Sequence, residues 1–221
     1  MVYEDENIIV IFKPKGLDIH SGASGDNCVS RLLAYLDFQP GQSLSFTPAF
    51  SSRLDRNTQG LVTAAKNAPA LRELNRLVRE HRIKKEYRAV LCGKMQPPKG
   101  TIIKYLSRGE GGERVRVSDI PLEGYRKSET RYRTLSLNGE LSTVEIDLIT
   151  GRKHQIRAVF AHAGCPVLGD TKYGSRQMNI KYGKKSQELT AFRLTFFPEK
   201  DSPLAYLYGK RVEAEENYEE R

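Results

Sequence analysis

The sequence has few cysteines, no long apolar run and no leader-like start. Three cysteines occur in 221 residues, at the widely separated positions Cys28, Cys92 and Cys165. This small odd number predicts free thiols in a reducing compartment rather than a disulfide framework. No segment approaches the ~18 consecutive apolar residues of a membrane helix, and the acidic N-terminus is unlike a signal peptide. These absences predict a cytoplasmic protein that does not enter a membrane.

Positive charge is in excess and unevenly distributed. The chain carries a net charge of +9, yet the segment from Glu213 to Arg221 holds five Glu and one Arg, which leaves residues 1–212 at +13. A body this basic attracts polyanions, of which nucleic acid is the commonest, although a basic protein without a special partner fits the charge as well. We expect one domain over residues 1–212 and a disordered acidic tail over 213–221.

Hydrophobic periodicity predicts many short strands and a few covering helices. We expect strands at 7–12, 61–66, 84–92, 101–105, 113–117, 130–137, 140–149 and 188–197. Helices are expected after Asp26 or Asn27, after Asn67, and over residues 152–163 before Gly164. Residues 118–128 are predicted to be a polar surface loop, and Asn138-Gly139 a type I′ hairpin turn. Without repeats or a long linker, this pattern predicts an α+β fold with a mixed, mostly antiparallel central sheet and flanking helices.

One segment sets a carboxylate between two arginines just before an apolar strand. It reads Ser-Arg-Leu-Asp-Arg over residues 52–56 and places Asp55 between Arg53 and Arg56. Such an Asp is often a plain surface ion pair. It also suits a reaction on an anionic polymer, because the arginines can hold phosphate while the carboxylate stays ionised for nucleophilic or base chemistry.

Two further segments, in a particular order and spacing, make the pattern specific. The first is Lys-Lys-Glu-Tyr-Arg-Ala over residues 84–89, and the second is Thr-Gly-Arg-Lys-His-Gln-Ile-Arg over residues 150–157. A Val-Leu-Gly-Asp-Thr-Lys-Tyr-Gly run follows at 167–174, and a Lys-Pro-Lys-Gly-Leu run precedes them at 13–17. Together these segments closely resemble the RluA-type pseudouridine synthases, from about residue 3 to about residue 197. The resemblance covers the catalytic region, without the small basic RNA-binding module that many relatives carry ahead of it.

The resemblance implies isomerisation of specific uridines in ribosomal or transfer RNA to pseudouridine. That reaction breaks the N1–C1′ bond and forms a C5–C1′ bond, so it implies no cofactor and no metal. Asp55 matches the family's catalytic Asp, and both attack on C1′ and action as a base remain open. Arg157 matches the arginine that pairs with this Asp and would keep it ionised. Tyr87 matches the active-site Tyr, which can stack on uracil or accept its C5 proton.

The resemblance also implies a set of RNA contacts. Arg53 matches the arginine that enters the space left by an extruded uridine. We expect the cations of the third segment to lie in the first turn of a helix, where backbone N–H groups favour phosphate. The expected RNA-binding residues are Arg53, Arg56, Arg152, Lys153, His154 and Gln155. We expect a monomer whose target choice comes from the basic face of its own catalytic domain.

Three other interpretations compete with this one. A metal site would use His154, His162 and Cys165, but their spacing matches no zinc signature. A nucleoside hydrolase would normally use two carboxylates, and no second one lies near the motifs. A catalytically inactive RNA-binding protein of the same fold is the main alternative. The presence of Asp55 together with Tyr87 and Arg157 favours the enzyme.

Overall fold

The computed structural model describes residues 1–20, 25–39, 41, 46–109 and 114–214. The chain divides into two compact units. The first contains Met1–Lys84 and Ala191–Arg221, and the second contains Lys85–Thr190. Within the described ranges, no helix is long and apolar enough to span a membrane.

The described residues form strands and short helices throughout. The strands are β1 (Tyr3–Glu4), β2 (Ile8–Lys13), β3 (Ala49–Phe50), β4 (Gln59–Ala65), β5 (Ile83–Cys92), β6 (Lys99–Leu106), β7 (Val117–Ser118), β8 (Arg126–Asn138), β9 (Leu141–Leu148), β10 (Leu189–Phe196) and β11 (Arg211–Glu213). The α-helices are α1 (Cys28–Tyr35), α2 (Ala68–Arg79), α3 (Gln155–His162) and α4 (Arg176–Lys181), and a 3₁₀ turn covers Ala205–Leu207.

The first unit is a sheet covered by α2. Its strands run in the order β1-β2-β4-β10, with β3 paired to β4 and β11 paired to β10. The Asn67 side chain caps α2 by accepting from the backbone N–H of Ala70 at 3.0 Å, as the sequence predicted. Leu74 and Leu77 of α2 are fully buried among side chains of β2, β4 and β10. Burial of this apolar face stabilises the helix far more than its intrinsic propensity does.

The second unit is a run of long antiparallel strands with α3 packed on it. Its strands follow the order β5-β9-β8-β6-β7. Leu106 of β6 and the nearby Val115 pack against Ala158 and Val159 of α3. Because these four side chains are buried together, α3 is held firmly against the β6–β7 end of the unit.

Four sequence predictions about this unit were wrong in their bounds. The strand expected over 113–117 is confined to Val117–Ser118, and residue 113 lies outside the described residues. The loop expected over 118–128 is shorter, since β8 already begins at Arg126 and pairs there with β6. The helix expected from residue 152 begins only at Gln155. At the hairpin, Asn138 still pairs with Leu141, so the turn lies one residue later than predicted.

The fold class was predicted correctly. The chain has an α+β fold with a mixed, mostly antiparallel sheet and few helices. A single catalytic domain over 1–212 remains a prediction. Of the predicted acidic tail, Glu213 ends β11, whereas residues 215–221 lie outside the described part of the chain.

Candidate active site

Asp55 lies on a short loop between β3 and β4 in the first unit. The loop turns through a hydrogen bond from the Thr58 N–H to the Asp55 carbonyl at 3.0 Å. Asp55 is half-buried, whereas Arg53 and Arg56 on either side of it are exposed. The loop therefore offers two cations to solvent and keeps the carboxylate partly shielded between them.

The fully buried Lys13 holds the backbone of this loop by hydrogen bonds. The Lys13 ammonium donates to the carbonyls of Pro14, Leu17 and Arg56 at 2.8–2.9 Å, and the side chain has no exposed surface. Burial lowers the pKa of Lys13 to about 8, although the nearby Cys28, Asp18 and Asp55 each act to raise it. Because one ammonium joins the 14–17 turn to the residue after Asp55, Lys13 fixes the backbone that carries the carboxylate.

The same two segments are joined by three more contacts. The Gly16 N–H donates to the Arg56 carbonyl, and Nε of Arg56 donates back to the Gly16 carbonyl, both at 3.0 Å. The Arg56 guanidinium also lies 3.8 Å from the Asp18 carboxylate. Arg56, predicted to bind RNA, therefore also helps to shape the loop.

We predict that Lys13→Met destabilises the protein by about 3 kcal/mol, because three backbone carbonyls lose the donor of a fully buried ammonium. The free energy of unfolding, measured by denaturant titration, checks this. The matched control is Lys15→Met, which changes the same residue type on the adjoining turn. Equal stability of the two variants would contradict an anchoring role for Lys13.

Gly60, at the start of β4, cannot be replaced without moving the backbone. It has a φ of 123°, and a Cβ at this position would lie 2.3 Å from the Ala191 carbonyl oxygen of the same unit. Only glycine allows both the positive φ and the close approach. The residue thereby sets where the Asp55 loop enters the sheet.

Tyr87 lies in the middle of β5 in the second unit. It is 6% exposed and stands opposite Ile146 of β9 in an antiparallel register. Strand residues two apart share a face, so Tyr87 shares its side of β5 with Lys85 and Ala89. Burial lowers the pKa of the half-buried Lys85.

Arg157 makes a buried, bidentate ion pair with Asp170. Its Nε donates to Oδ2 at 2.7 Å and its Nη2 donates to Oδ1 at 3.0 Å. The Asp170 side chain is fully buried and also accepts from the backbone N–H groups of Lys172 and Tyr173. Burial alone would raise the pKa of Asp170, but these hydrogen bonds and the Arg157 charge together lower it. Asp170 is therefore an ionised partner that fixes the guanidinium plane.

Tyr173 extends this arrangement towards His154. The Arg157 guanidinium lies 5.2 Å from the Tyr173 ring centroid, within range of a cation–π interaction. The Tyr173 hydroxyl accepts from the Val115 N–H at 2.8 Å and lies 2.9 Å from Nδ1 of His154. His154 itself has a left-handed φ of 52°, an uncommon backbone state outside glycine.

The side-chain amide of Gln155 uses its hydrogen-bonding atoms within the protein and has none left for RNA. The residue is 2% exposed. Its amide oxygen accepts from the Thr150 hydroxyl and the Arg152 N–H, and its amide nitrogen donates to the Glu129 carbonyl and the Thr130 hydroxyl, at 2.9–3.0 Å. The side chain thus clamps the 150–152 turn to β8. A contact of Gln155 with RNA is not expected from this geometry.

Arg152 and Lys153 precede α3 rather than forming its first turn, which corrects their predicted setting. Nε of Arg152 donates to the Lys127 carbonyl at 3.2 Å, and the Lys153 ammonium donates to the Gly109 carbonyl. Lys153 is exposed and Arg152 is half-buried. Both side chains can still attract a phosphate by their charge. The free backbone N–H groups at the N-terminus of the helix do not contribute at these two residues.

Sequence reasoning assigned no role to Asp170, Tyr173 or Lys13. All three occur in segments that carried the family resemblance, at 167–174 and 13–17. Their contacts with Arg56, Arg157 and His154 join different segments, which is why the motif letters alone did not reveal them. Among the described residues, no group of three or more His, Cys, Asp or Glu could hold a metal ion.

The first unit thus presents a carboxylate between two arginines, and the second unit carries a buried guanidinium on α3. The family model described as RNA pseudouridylate synthase matches residues 7–162, so the chain belongs to that family. Its curated relatives place it with the RluA type, as the motifs indicated.

The chain is similar to several bacterial members of the family. It is 33% identical over 204 residues to an uncharacterized RNA pseudouridine synthase of Mycoplasma genitalium, covering 89% of this chain and 62% of that protein. It is 35% identical over 185 residues to the ribosomal large subunit pseudouridine synthase C of Rickettsia bellii, covering 83% of this chain and 59% of the relative. The chain therefore spans about three fifths of the length of these relatives.

Solved structures support the fold. The human RNA pseudouridylate synthase domain containing 4 matches with a TM-score of 0.75 at 22% identity, over 97% of this chain and 87% of that one. The human domain containing 1 protein matches with a TM-score of 0.71 at 22% identity, over 99% and 91% of the two chains. At this level of identity the likeness concerns the fold.

Proposed function

We propose that this protein isomerises uridine to pseudouridine in RNA, with Asp55 as the catalytic group. The observation that carries the proposal is the loop itself, which holds a half-buried carboxylate between two exposed arginines and lies within the residues that the family model matches. Cations on both sides suit phosphate binding.

In the proposed reaction, Asp55 attacks C1′ of the ribose or removes a sugar proton, and the N1–C1′ bond breaks. The uracil turns, and C5 bonds to C1′ as the Asp55–C1′ bond breaks or the sugar proton returns from Asp55. C5 then loses its proton while N1 gains one. Atoms and electrons therefore balance without a redox partner. This mechanism uses Tyr87 to contact the uracil ring and Arg157 to keep Asp55 ionised.

The Asp170 contact supports a particular task for Arg157. Asp170 accepts from Nε and Nη2 of the guanidinium and so fixes its plane. We propose that Asp170 is a positioning residue, which orients Arg157 for its proposed task towards Asp55. A pairing of Arg157 with Asp55 is testable by a double-mutant cycle on turnover.

We propose large-subunit ribosomal RNA as the substrate to test first. Two sets of relatives are named ribosomal large subunit pseudouridine synthase C and D, at up to 35% identity. Arg53 is exposed next to Asp55 and suits the proposed role of filling the space that the extruded uridine leaves.

We predict that the protein releases tritium to water from large-subunit RNA labelled at uridine C5, because the new C5–C1′ bond displaces that hydrogen. Release from labelled transfer RNA is the second arm of the experiment. Free uracil in the products would instead indicate a hydrolase. RNA binding without release or uracil would indicate an inactive binding protein of the same fold.

A further inference from the structure

The second unit contains a cavity of about 590 Å³ that the proposed reaction does not use. Its lining includes Ser107, Arg108, Arg116, Glu123, Tyr125 and Arg126. Three guanidinium groups and one carboxylate give this wall a net positive charge. A cavity of this size falls within the range of ~300–1,000 Å³ that small ligands and single nucleotides occupy.

Three chain segments form the cavity, and hydrogen bonds fix them to each other. The Ser107 N–H donates to the Arg116 carbonyl at 3.0 Å, and the Arg116 N–H donates to the Ser107 hydroxyl at 2.9 Å. Arg126 opens β8 directly opposite Leu106, the last residue of β6. The arginines are therefore brought together by the ends of β6, β7 and β8, not by neighbourhood in sequence.

The charge of this wall is not neutralised within the part of the chain that the structure describes. There, Arg108, Arg116 and Arg126 make no ion pair, and all three are exposed. Three like charges around one cavity repel each other, and a ligand with several negative charges removes this repulsion. Phosphate suits them best, because guanidinium groups bind its oxygens in a bidentate manner.

An aromatic side chain completes the wall. Tyr125 is half-buried, and its N–H donates to the Leu122 carbonyl at 3.1 Å in the turn before β8. Aromatic faces beside arginines are the usual platform for unstacked bases in single-stranded RNA. The cavity thus combines phosphate-binding charge with a surface on which one base can stack.

The cavity is tied to the helix that carries Arg157. The Val115 N–H, next to Arg116, donates to the Tyr173 hydroxyl, and the Tyr173 ring contacts the Arg157 guanidinium. On the other side, Lys153 donates to the carbonyl of Gly109, which lines the cavity. An RNA segment held here would therefore have a defined position relative to Arg157, because all these residues belong to the second unit.

We propose that this cavity is a secondary RNA site that binds a single-stranded nucleotide flanking the target uridine. The arginines hold its phosphates and Tyr125 stacks on its base. The inference rests on the proposed function, since it names a further contact with the same RNA.

The test measures binding of a fluorescent oligouridylate of about 12 nucleotides to the full chain over a range of salt concentrations. The variant is R108Q/R116Q/R126Q. The matched control is R31Q/R79Q/R211Q, which removes the same charge at three exposed arginines of the first unit. We expect the cavity variant to bind at least about tenfold more weakly and to reduce the salt slope by about 2, since each phosphate on a single strand contributes about 0.7. Equal slopes for the two triple variants would overturn the proposal.

Two further readouts sharpen the test. Tyr125→Leu should weaken binding and Tyr125→Phe should not, whereas equal binding by both would overturn the stacking role. With an RNA whose uridine the wild-type protein converts, the cavity variant should have a higher KM and an unchanged kcat. If the wild-type protein converts no uridine while the cavity variant still loses affinity, the proposed function fails and the cavity site stands. If turnover is normal and the salt slope is unaltered, the cavity proposal alone fails.

Discussion

Asp55→Asn is expected to lower pseudouridine formation by at least about a thousandfold, the scale seen when a covalent or base catalyst is removed. The amide keeps the size of the side chain but carries no negative charge. It can neither attack C1′ nor accept a sugar proton. Tritium release from labelled RNA under single-turnover conditions measures the loss directly.

The same variant should fold normally. Asp55 is only half-buried on a loop whose backbone is held by Lys13, so we expect a stability change of less than about 1 kcal/mol. Asp26→Asn is the matched control, since its carboxylate is exposed in the same unit and pairs with Arg31. It should retain full turnover. Tritium release by Asp55→Asn at the wild-type rate would refute the catalytic assignment.

Asp170→Ala is expected to reduce the free energy of unfolding by about 3–5 kcal/mol, because it leaves the buried Arg157 charge without its partner. For a chain of this length, the loss corresponds to a fall in Tm of roughly 10 °C. Turnover should fall as well, since Arg157 loses the contact that orients it. Thermal unfolding and single-turnover kinetics measure the two effects separately.

A double variant separates structure from function at this pair. Arg157→Met combined with Asp170→Asn removes both buried charges, and the new amide oxygen can still accept from the N–H groups of Lys172 and Tyr173. We expect it to recover most of the stability lost in Asp170→Ala but none of the turnover. Full turnover in the refolded double variant would show that the pair is structural only.

The stability supplied by Asp170 should also depend on pH. Its pKa is lowered in the folded state, so its contribution is fully present above the ordinary value of 3.8 and is lost as pH falls through the folded-state pKa. The stability difference between the wild-type protein and Asp170→Ala should therefore be constant at neutral pH and should shrink below about pH 4. Urea titrations at a series of pH values give this difference.

Local signals in the sequence were enough to predict most elements. Asn67 before an apolar stripe predicted α2, because a capping side chain and helical periodicity act within a few residues. Val117 was harder to place, since a two-residue strand depends on its pairing with β6 rather than on its own pattern. The hairpin turn moved by one residue because Asn138 pairs with Leu141 across the strands, a choice that register makes.

For the candidate site, too, some features followed from local sequence and others only from tertiary contacts. Hydrophobic periodicity by itself predicted the α+β class. The order and spacing of the motifs indicated the family and the candidates Asp55, Tyr87 and Arg157, since these depend on residue identity. Tertiary structure alone decided that Lys13 supports the Asp55 loop, that Asp170 pairs with Arg157, and that Gln155 is fully used inside the chain. Each of these roles includes a contact between residues that meet only when the chain folds: Lys13 with Arg56, Arg157 with Asp170, and Gln155 with Glu129 and Thr130. Burial then fixes the hydrogen-bond partner, because an unpaired polar group in the core is costly.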